Sequence, residues 1–154
     1  LLPAKSVDLF VRVTQRLAQD CSCVGAQRRR RTPVFDRTGN LDRCADYIRS
    51  EFKKAGCEVL TATDGFEALA VIADGNPDII FVDIMMPRLD GYQTCALIKN
   101  NEIYRDIPVI MLSSKDGLFD RARGRIVGSE QYLTKPFTRD ELLGAIKKHA
   151  AKAA

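Results

Sequence analysis

The sequence predicts an α/β domain built around a parallel sheet. From Val34 onward, apolar runs of strand length alternate with segments whose apolar residues recur at helical spacing. The apolar runs are continuous, as in Ile79-Ile80-Phe81-Val82, which is typical of strands buried on both faces of a parallel sheet. Dense turn signals such as Asp74-Gly75-Asn76-Pro77 separate the segments. One domain is expected from 154 residues.

Each element follows from its own local pattern. A brief strand is expected at 33–35, and a helix with one apolar face precedes Gly56, which suits a left-handed helix end. Asp64 and Thr138 are expected to cap helices, and Asp90-Gly91 to open one. In chain order, the later elements are a strand at 57–62, a helix from Asp64 to Asp74, a strand at 79–82, a helix at 91–100, a strand at 109–112, a helix at 117–125, a strand around 132–133 and a last helix after Thr138.

The first 33 residues differ in charge from the rest. They hold seven Lys or Arg and two Asp or Glu, whereas the remainder holds 17 basic and 18 acidic residues. We therefore separate a basic leader, 1–33, from a domain at 34–154; the leader is interpreted as disordered or non-native, since the chain does not start with Met. Apolar residues between Val7 and Leu17 have helical spacing, so a short helix is the alternative. The run Arg28 to Arg31 suits either solvent or an anionic partner.

Composition argues against several classes of protein. No apolar stretch approaches the roughly 20 residues of a membrane span, so a cytoplasmic protein is expected. The five cysteines are scattered and form no CxxC motif, which indicates neither a disulfide framework nor a zinc site. They are Cys21, Cys23, Cys44, Cys57 and Cys95.

Three polar residues follow predicted strands at the point where each strand ends. Asp83 follows Phe81-Val82, Ser113 follows Met111-Leu112, and Lys135 follows Leu133-Thr134. The carboxyl ends of parallel strands open on one crevice, so these side chains are expected to converge. A carboxylate, a hydroxyl and an ammonium together can handle a phosphoryl group. Taken singly, each residue is more often a cap, a turn residue or a surface residue than a functional one. Together and in this order, the three favour the functional interpretation.

The stretches "IIFVDIMMPRLDGYQ", "PVIMLSS" and "YLTKPF" resemble the receiver domain of bacterial response regulators. The resemblance implies a flavodoxin-like (βα)5 fold, a doubly wound parallel sheet of five strands, with Asp83 as phosphoacceptor. "DGFEALA" and "GRIVGSEQYLTKPF" are similar, more narrowly, to single-domain regulators of the PilG type, which act in type IV pilus twitching motility. A two-component signalling protein rather than an enzyme is therefore expected.

The resemblance also implies a role for each residue of the site. Asp83 takes a phosphoryl group from a histidine kinase or phosphotransfer domain, and Mg²⁺ is held by Asp83 and the backbone carbonyl of Met85. Lys135, with a cis bond to Pro136, pairs with the phosphoryl oxygens. Ser113 and Tyr132 form the switch, and a downstream pilus or motility protein reads the helix at 117–125, the last strand and the last helix.

One part of the family pattern is missing. Receivers carry an acidic pair after the first strand, and the usual spacing places it at Gly39 and Asn40. Asp36 is the nearest substitute that follows a strand-like run, and it requires a four-residue shift. Either the first strand has diverged, or the segment up to about residue 50 is not the natural start of the domain.

Three other functions stay open. A pseudo-receiver has the same fold but works without phosphate, which the missing acidic pair favours. A phosphatase of the haloacid dehalogenase type needs a second Asp where Met85 stands. Nucleic acid binding through Arg28 to Arg31 is the third. No DNA-binding helix-turn-helix is expected after "HAAKAA".

Overall fold

The computed structural model describes residues 8–12, 41–85, 88–113 and 117–150. Within these ranges, five strands and five helices are found. They are β1 (Asp8–Arg12), α1 (Leu41–Lys54), β2 (Glu58–Ala62), α2 (Gly65–Gly75), β3 (Ile79–Asp83), α3 (Gly91–Asn100), β4 (Val109–Ser113), α4 (Leu118–Ile126), β5 (Gln131–Thr134) and α5 (Arg139–Ala150). From α1 onward, the order of elements and their approximate bounds are those that the sequence predicts.

The described strands form one sheet in the order β2-β1-β3-β4-β5. β3, β4 and β5 pair in parallel, with Phe81 beside Ile110 and Leu112 beside Leu133. β1 lies between β2 and β3 and runs antiparallel to both of them. The expectation of a wholly parallel sheet therefore needs one correction, at its first strand.

β1 also corrects the helix that was considered for residues 7–17. The described part of that segment, Asp8–Arg12, is a strand. β1 gives its backbone N–H and C=O groups to the strands on both sides. A helix cannot do this, because it uses these groups for its own hydrogen bonds. The segment Leu9-Phe10-Val11 has the aromatic and β-branched side chains that favour strands. The strand predicted at 33–35 lies outside the described residues.

Successive residues of β3 point to opposite faces of the sheet, and both faces are buried. Ile79 and Phe81 join a cluster with α1 and α5, whereas Ile80 and Val82 join a cluster with α2 and α3. All four side chains are fully inaccessible to solvent. The predicted burial on both faces is therefore confirmed for this strand, and it places the carboxyl end of β3 in the middle of the molecule.

The predicted caps fix where the helices begin. Asp64 accepts the backbone N–H groups of Phe66 and Glu67 at 2.9 and 3.0 Å. Asp90 and Gln93 form a capping box at the start of α3. Thr138 and Glu141 bond in the same reciprocal way at the start of α5. Among the described residues, no helix is both long and apolar enough to span a membrane.

Candidate functional site

The structure brings Asp83, Ser113 and Lys135 together at one rim of the sheet. Asp83 and Ser113 are the last residues of β3 and β4, and Lys135 directly follows β5. Asp83 is 6% exposed and Ser113 is 4% exposed. The parallel register, which pairs Asp83 with Leu112 and Ser113 with Thr134, brings these strand ends level. The convergence expected from the strand ends is therefore present.

Direct contacts connect the three residues. The ammonium of Lys135 forms an ion pair with the Oδ2 atom of Asp83. The backbone N–H of Lys135 donates to the carbonyl of Ser113 at 2.6 Å. The other carboxylate oxygen of Asp83, Oδ1, accepts the backbone N–H of Met85 at 2.9 Å. The Lys135–Pro136 peptide is cis, as the resemblance implied.

The close packing around residue 91 requires a glycine after Asp90. A Cβ atom on Gly91 would lie 2.5 Å from the carbonyl oxygen of Asp83 and 2.7 Å from the Cα of Ile84. Only glycine lets α3 begin this close to the end of β3. The backbone N–H of Gly91 donates to the carbonyl of Ile84 at 3.1 Å, which closes the loop between the two elements.

Ser113 and Tyr132 occupy neighbouring strands on the same face of the sheet. Tyr132 lies beside Met111, two residues before Ser113 in β4. Its ring is partly buried and packs with the cluster that contains Met111. The guanidinium of Arg121 in α4 lies 5.8 Å from the centre of the Tyr132 ring. Tyr132 is thus adjacent to α4, and Ser113 lies on the same face of the sheet.

Of the predicted metal ligands, the structure describes two. The carboxylate of Asp83 and the backbone of Met85 adjoin each other through their hydrogen bond, whereas Asp36 lies outside the described residues. Among the described residues, no group of three or more His, Cys, Asp or Glu side chains could hold a metal. Mg²⁺ is usually held by one or two carboxylates and keeps several waters, so this small set of hard oxygen donors fits it.

Two sets of contacts near the site were not predicted. Asp64 was expected only as a helix cap, yet its Oδ2 atom also pairs with Arg88 in the loop after β3. The hydroxyl of Tyr92 donates to the backbone carbonyl of Asp120 at 3.2 Å, which joins α3 to α4. Burial, and next the charge of Asp120, raise the pKa of Tyr92 to about 12. These partners are 24 and 28 residues apart, and no local pattern in the sequence connects them.

Comparison with known proteins identifies the family that has this arrangement. The family model of the response regulator receiver domain matches residues 42–147. The chain belongs to the response regulator receiver family. It is 68% identical to Protein PilG from Pseudomonas aeruginosa PAO1 over 116 residues, which is 75% of this chain and 84% of that protein.

Solved receiver structures agree with the fold. The chemotaxis response regulator CheY4 of Vibrio cholerae superposes with a TM-score of 0.64 at 30% identity, covering 68% of this chain and 87% of that chain. The receiver domain of the sensor histidine kinase PA1611 from P. aeruginosa gives a TM-score of 0.64 at 29% identity, covering 69% of this chain and 87% of that chain. That receiver was solved with a magnesium ion in its active-site cleft. The flavodoxin-like receiver fold implied by the sequence motifs is therefore confirmed.

Proposed function

We propose that Asp83 is the phosphoacceptor of a two-component phosphorelay. The observation that carries this proposal is the buried carboxylate of Asp83 at the end of β3, in an ion pair with Lys135 and one strand away from Ser113. A buried carboxylate beside a single ammonium can react with a phosphoryl group and have the resulting charge neutralised at once. The family membership of the chain supports the same assignment.

The phosphoryl group comes from a phosphohistidine on a histidine kinase or phosphotransfer domain. One carboxylate oxygen of Asp83 attacks the phosphorus, and an O–P bond forms as the P–N bond to the imidazole breaks. The electron pair of the broken bond stays on the imidazole nitrogen. Lys135, already paired with Asp83, neutralises the phosphoryl oxygens, and the hydroxyl of Ser113 donates a hydrogen bond to one of them.

Mg²⁺ is the proposed cofactor. Asp83, the backbone carbonyl of Met85 and Asp36 are its proposed protein ligands. When bound, the ion screens the repulsion between the carboxylate and the incoming phosphoryl oxygens. A receiver domain from P. aeruginosa solved with magnesium in its cleft supports this choice of metal.

The signal leaves the site through Ser113 and Tyr132. When the Ser113 hydroxyl turns to the phosphoryl group, the loop after β4 moves with it, and Tyr132 fills the vacated space. Because Tyr132 packs between β4 and α4, this movement changes the surface formed by α4, β5 and α5. A downstream pilus or motility protein in the cytoplasm reads that surface, and the similarity to PilG supports a role in type IV pilus twitching motility.

The proposal is tested by incubating the protein with acetyl phosphate and Mg²⁺ and measuring its intact mass. We expect the mass to increase by one phosphoryl group, and we expect no increase for Asp83→Asn. Asp106→Asn, which makes the same change at an exposed carboxylate, serves as the matched control and is expected to behave as the wild type. An Asp83→Asn variant that still gains the group would contradict the assignment.

A phosphate-independent pseudo-receiver is the second candidate. It is favoured by the lack, among the described residues, of any group of three or more His, Cys, Asp or Glu side chains that could hold a metal. Such a protein would fold as a receiver and bind its partner equally well with and without beryllofluoride. A partner affinity that beryllofluoride raises, and that Asp83→Asn makes insensitive to beryllofluoride, would exclude this candidate.

A further inference from the structure

Asp64 does more than cap α2. It is 5% exposed, and its Oδ1 atom alone accepts both capping N–H groups, from Phe66 and Glu67. The Oδ2 atom is thereby left for Arg88, with which it forms an ion pair. A buried carboxylate needs such partners, because desolvation of an unpaired charge is costly. Asp64 thus uses one carboxylate oxygen to cap α2 and the other to pair with Arg88.

Arg88 reaches Asp64 from the loop that directly follows Asp83. Its backbone is left-handed, with φ 66°, a conformation that is rare for a residue with a side chain. Its guanidinium lies 5.9 Å from the centre of the Phe66 ring, so it contacts α2 twice. The next residue, Leu89, packs so closely on Gly65 that a Cβ there would lie 2.8 Å from Leu89 Cδ2. Arg88 and Leu89 thus pack on the start of α2.

The start of the same loop is joined to Asp83. Met85 donates its backbone N–H to Oδ1 of Asp83 at 2.9 Å. Ile84 donates its own N–H to the carbonyl of Leu112 at 3.0 Å and accepts that of Gly91 at 3.1 Å. Met85 and Arg88 are only three residues apart in the chain, so the anchoring of Arg88 on α2 limits where the peptide of Met85 can lie.

We propose that Asp64 and Arg88 are positioning residues for Asp83. Their ion pair holds Arg88 against the start of α2, and this anchor limits the position of Met85, whose N–H donates to the carboxylate of Asp83. This inference rests on the proposed function, because it gives Asp64 and Arg88 a part in phosphorylation of Asp83. Groups that orient a reactive carboxylate change reaction rates without touching the substrate themselves.

The variants separate this role from helix capping. Asp64→Asn keeps an oxygen that can cap α2 and loses the charge that pairs with Arg88. Arg88→Gln removes the other partner, and the double variant removes both. Glu67→Gln is the matched control, since Glu67 is an exposed carboxylate in the same first turn and accepts the backbone N–H of Thr63 at 2.7 Å.

The experiment measures the rate of phosphorylation by acetyl phosphate, the amide resonance of Met85 in ¹⁵N spectra and the unfolding midpoint in urea. Each single variant is expected to be phosphorylated about tenfold more slowly than the wild type. The double variant is expected to be no slower than the singles, because the two residues act as one unit. The Met85 amide is expected to shift in these variants and to stay in place in Glu67→Gln.

An unchanged Met85 amide in Arg88→Gln would overturn the inference, and so would losses of rate that multiply in the double variant. A Glu67→Gln variant that slows equally would show that only the integrity of α2 matters, which also overturns it. If the wild type itself takes up no phosphoryl group, the proposed function fails. In that case the positioning role is judged only by whether the Met85 amide resonance shifts in Asp64→Asn and Arg88→Gln.

Discussion

The ammonium of Lys135 lies against the carboxylate of Asp83, although 52 residues separate them in the chain. Both side chains are largely buried, with 16% of Lys135 and 8% of Asp83 exposed. The backbone bond from Lys135 to Ser113 fixes the lysine at the same rim. This pair holds a carboxylate inside the domain with its charge compensated.

Replacing Lys135 with Met should destabilise the fold, because it leaves the buried carboxylate without a counter-charge. We expect the free energy of unfolding to fall by about 3 kcal/mol. Adding Asp83→Asn should recover much of this loss, since the unpaired charge is then gone. Urea denaturation of the two single variants and the double variant measures these differences. Equal stability of Lys135→Met and the wild type would mean that the pair contributes nothing to the fold.

Gly91→Ala should also be destabilising, because its new Cβ would lie 2.5 Å from the backbone oxygen of Asp83. We expect a loss of about 1–3 kcal/mol. Gly144→Ala is the matched control: Gly144 is a helical glycine with no atom within 4 Å of the added Cβ. That variant should be more stable by about 0.5–1 kcal/mol. Thermal unfolding compares the two, and a neutral Gly91→Ala would argue against the close approach.

The residues that could be predicted are those whose position follows from one rule. Asp83, Ser113 and Lys135 were found because the ends of parallel strands meet at one edge of a sheet. The path of a loop follows no such rule. The contact of Arg88 with Asp64 depends on the left-handed backbone of Arg88 and on a helix cap 24 residues earlier. The residues around Arg88 predict neither feature.

The position of β1 gives a prediction about the amino-terminal segment. Val11 pairs with Val59 on one side and with Ile79 on the other, so Val11→Pro removes an N–H from a strand flanked on both sides. A loss of about 1–3 kcal/mol is expected from the carbonyl left unsatisfied. Val11→Thr, which keeps the N–H and the preference for strand, is the control. Urea denaturation measures both variants, and equal stability would show that β1 is dispensable.

The same strand tests the domain boundary. A chain that starts at residue 34 lacks β1, so β2 and β3 lose the strand between them. We expect this truncated chain to unfold at a lower urea concentration than the full chain. If the two chains unfold alike, a domain at 34–154 is sufficient.

β1 could not be predicted because short apolar segments are ambiguous. Five residues such as Asp8–Arg12 are too few for periodicity to distinguish a helix from a strand. The direction of a strand depends on how the chain enters and leaves the sheet, which a local pattern does not contain. The strands β3 and β4, which are uniformly apolar and flanked by turn residues, were predicted to within one residue.

Stability should decline at high pH because of two buried thiols. Burial raises the pKa of Cys57 and of Cys95 from 9.0 to about 11. The unfolded chain therefore loses these protons at lower pH than the folded chain, so their contribution is complete below about pH 9 and is lost as the pH approaches about 11. Urea midpoints between these pH values measure the slope. The double variant Cys57→Ala, Cys95→Ala should have a shallower slope; an identical slope would assign the effect to other groups.

Asp36 is predicted to be a metal ligand. Asp36→Asn should weaken Mg²⁺ binding by about tenfold or more if its carboxylate completes the site. Titration with Mg²⁺, followed by the Met85 amide resonance, measures the affinity directly. Asp42→Asn, a change at another carboxylate six residues later in the sequence, is the control. An affinity that Asp36→Asn leaves unchanged would remove Asp36 from the ligand set.

The most direct test of phosphorylation at Asp83 is to locate the modified residue. After reaction with acetyl phosphate, borohydride reduces an aspartyl phosphate to homoserine, and peptide mapping then identifies its position. We expect homoserine at residue 83 and at no other aspartate. A phosphorylated protein whose homoserine lies elsewhere, or whose residue 83 remains aspartate, would contradict the account.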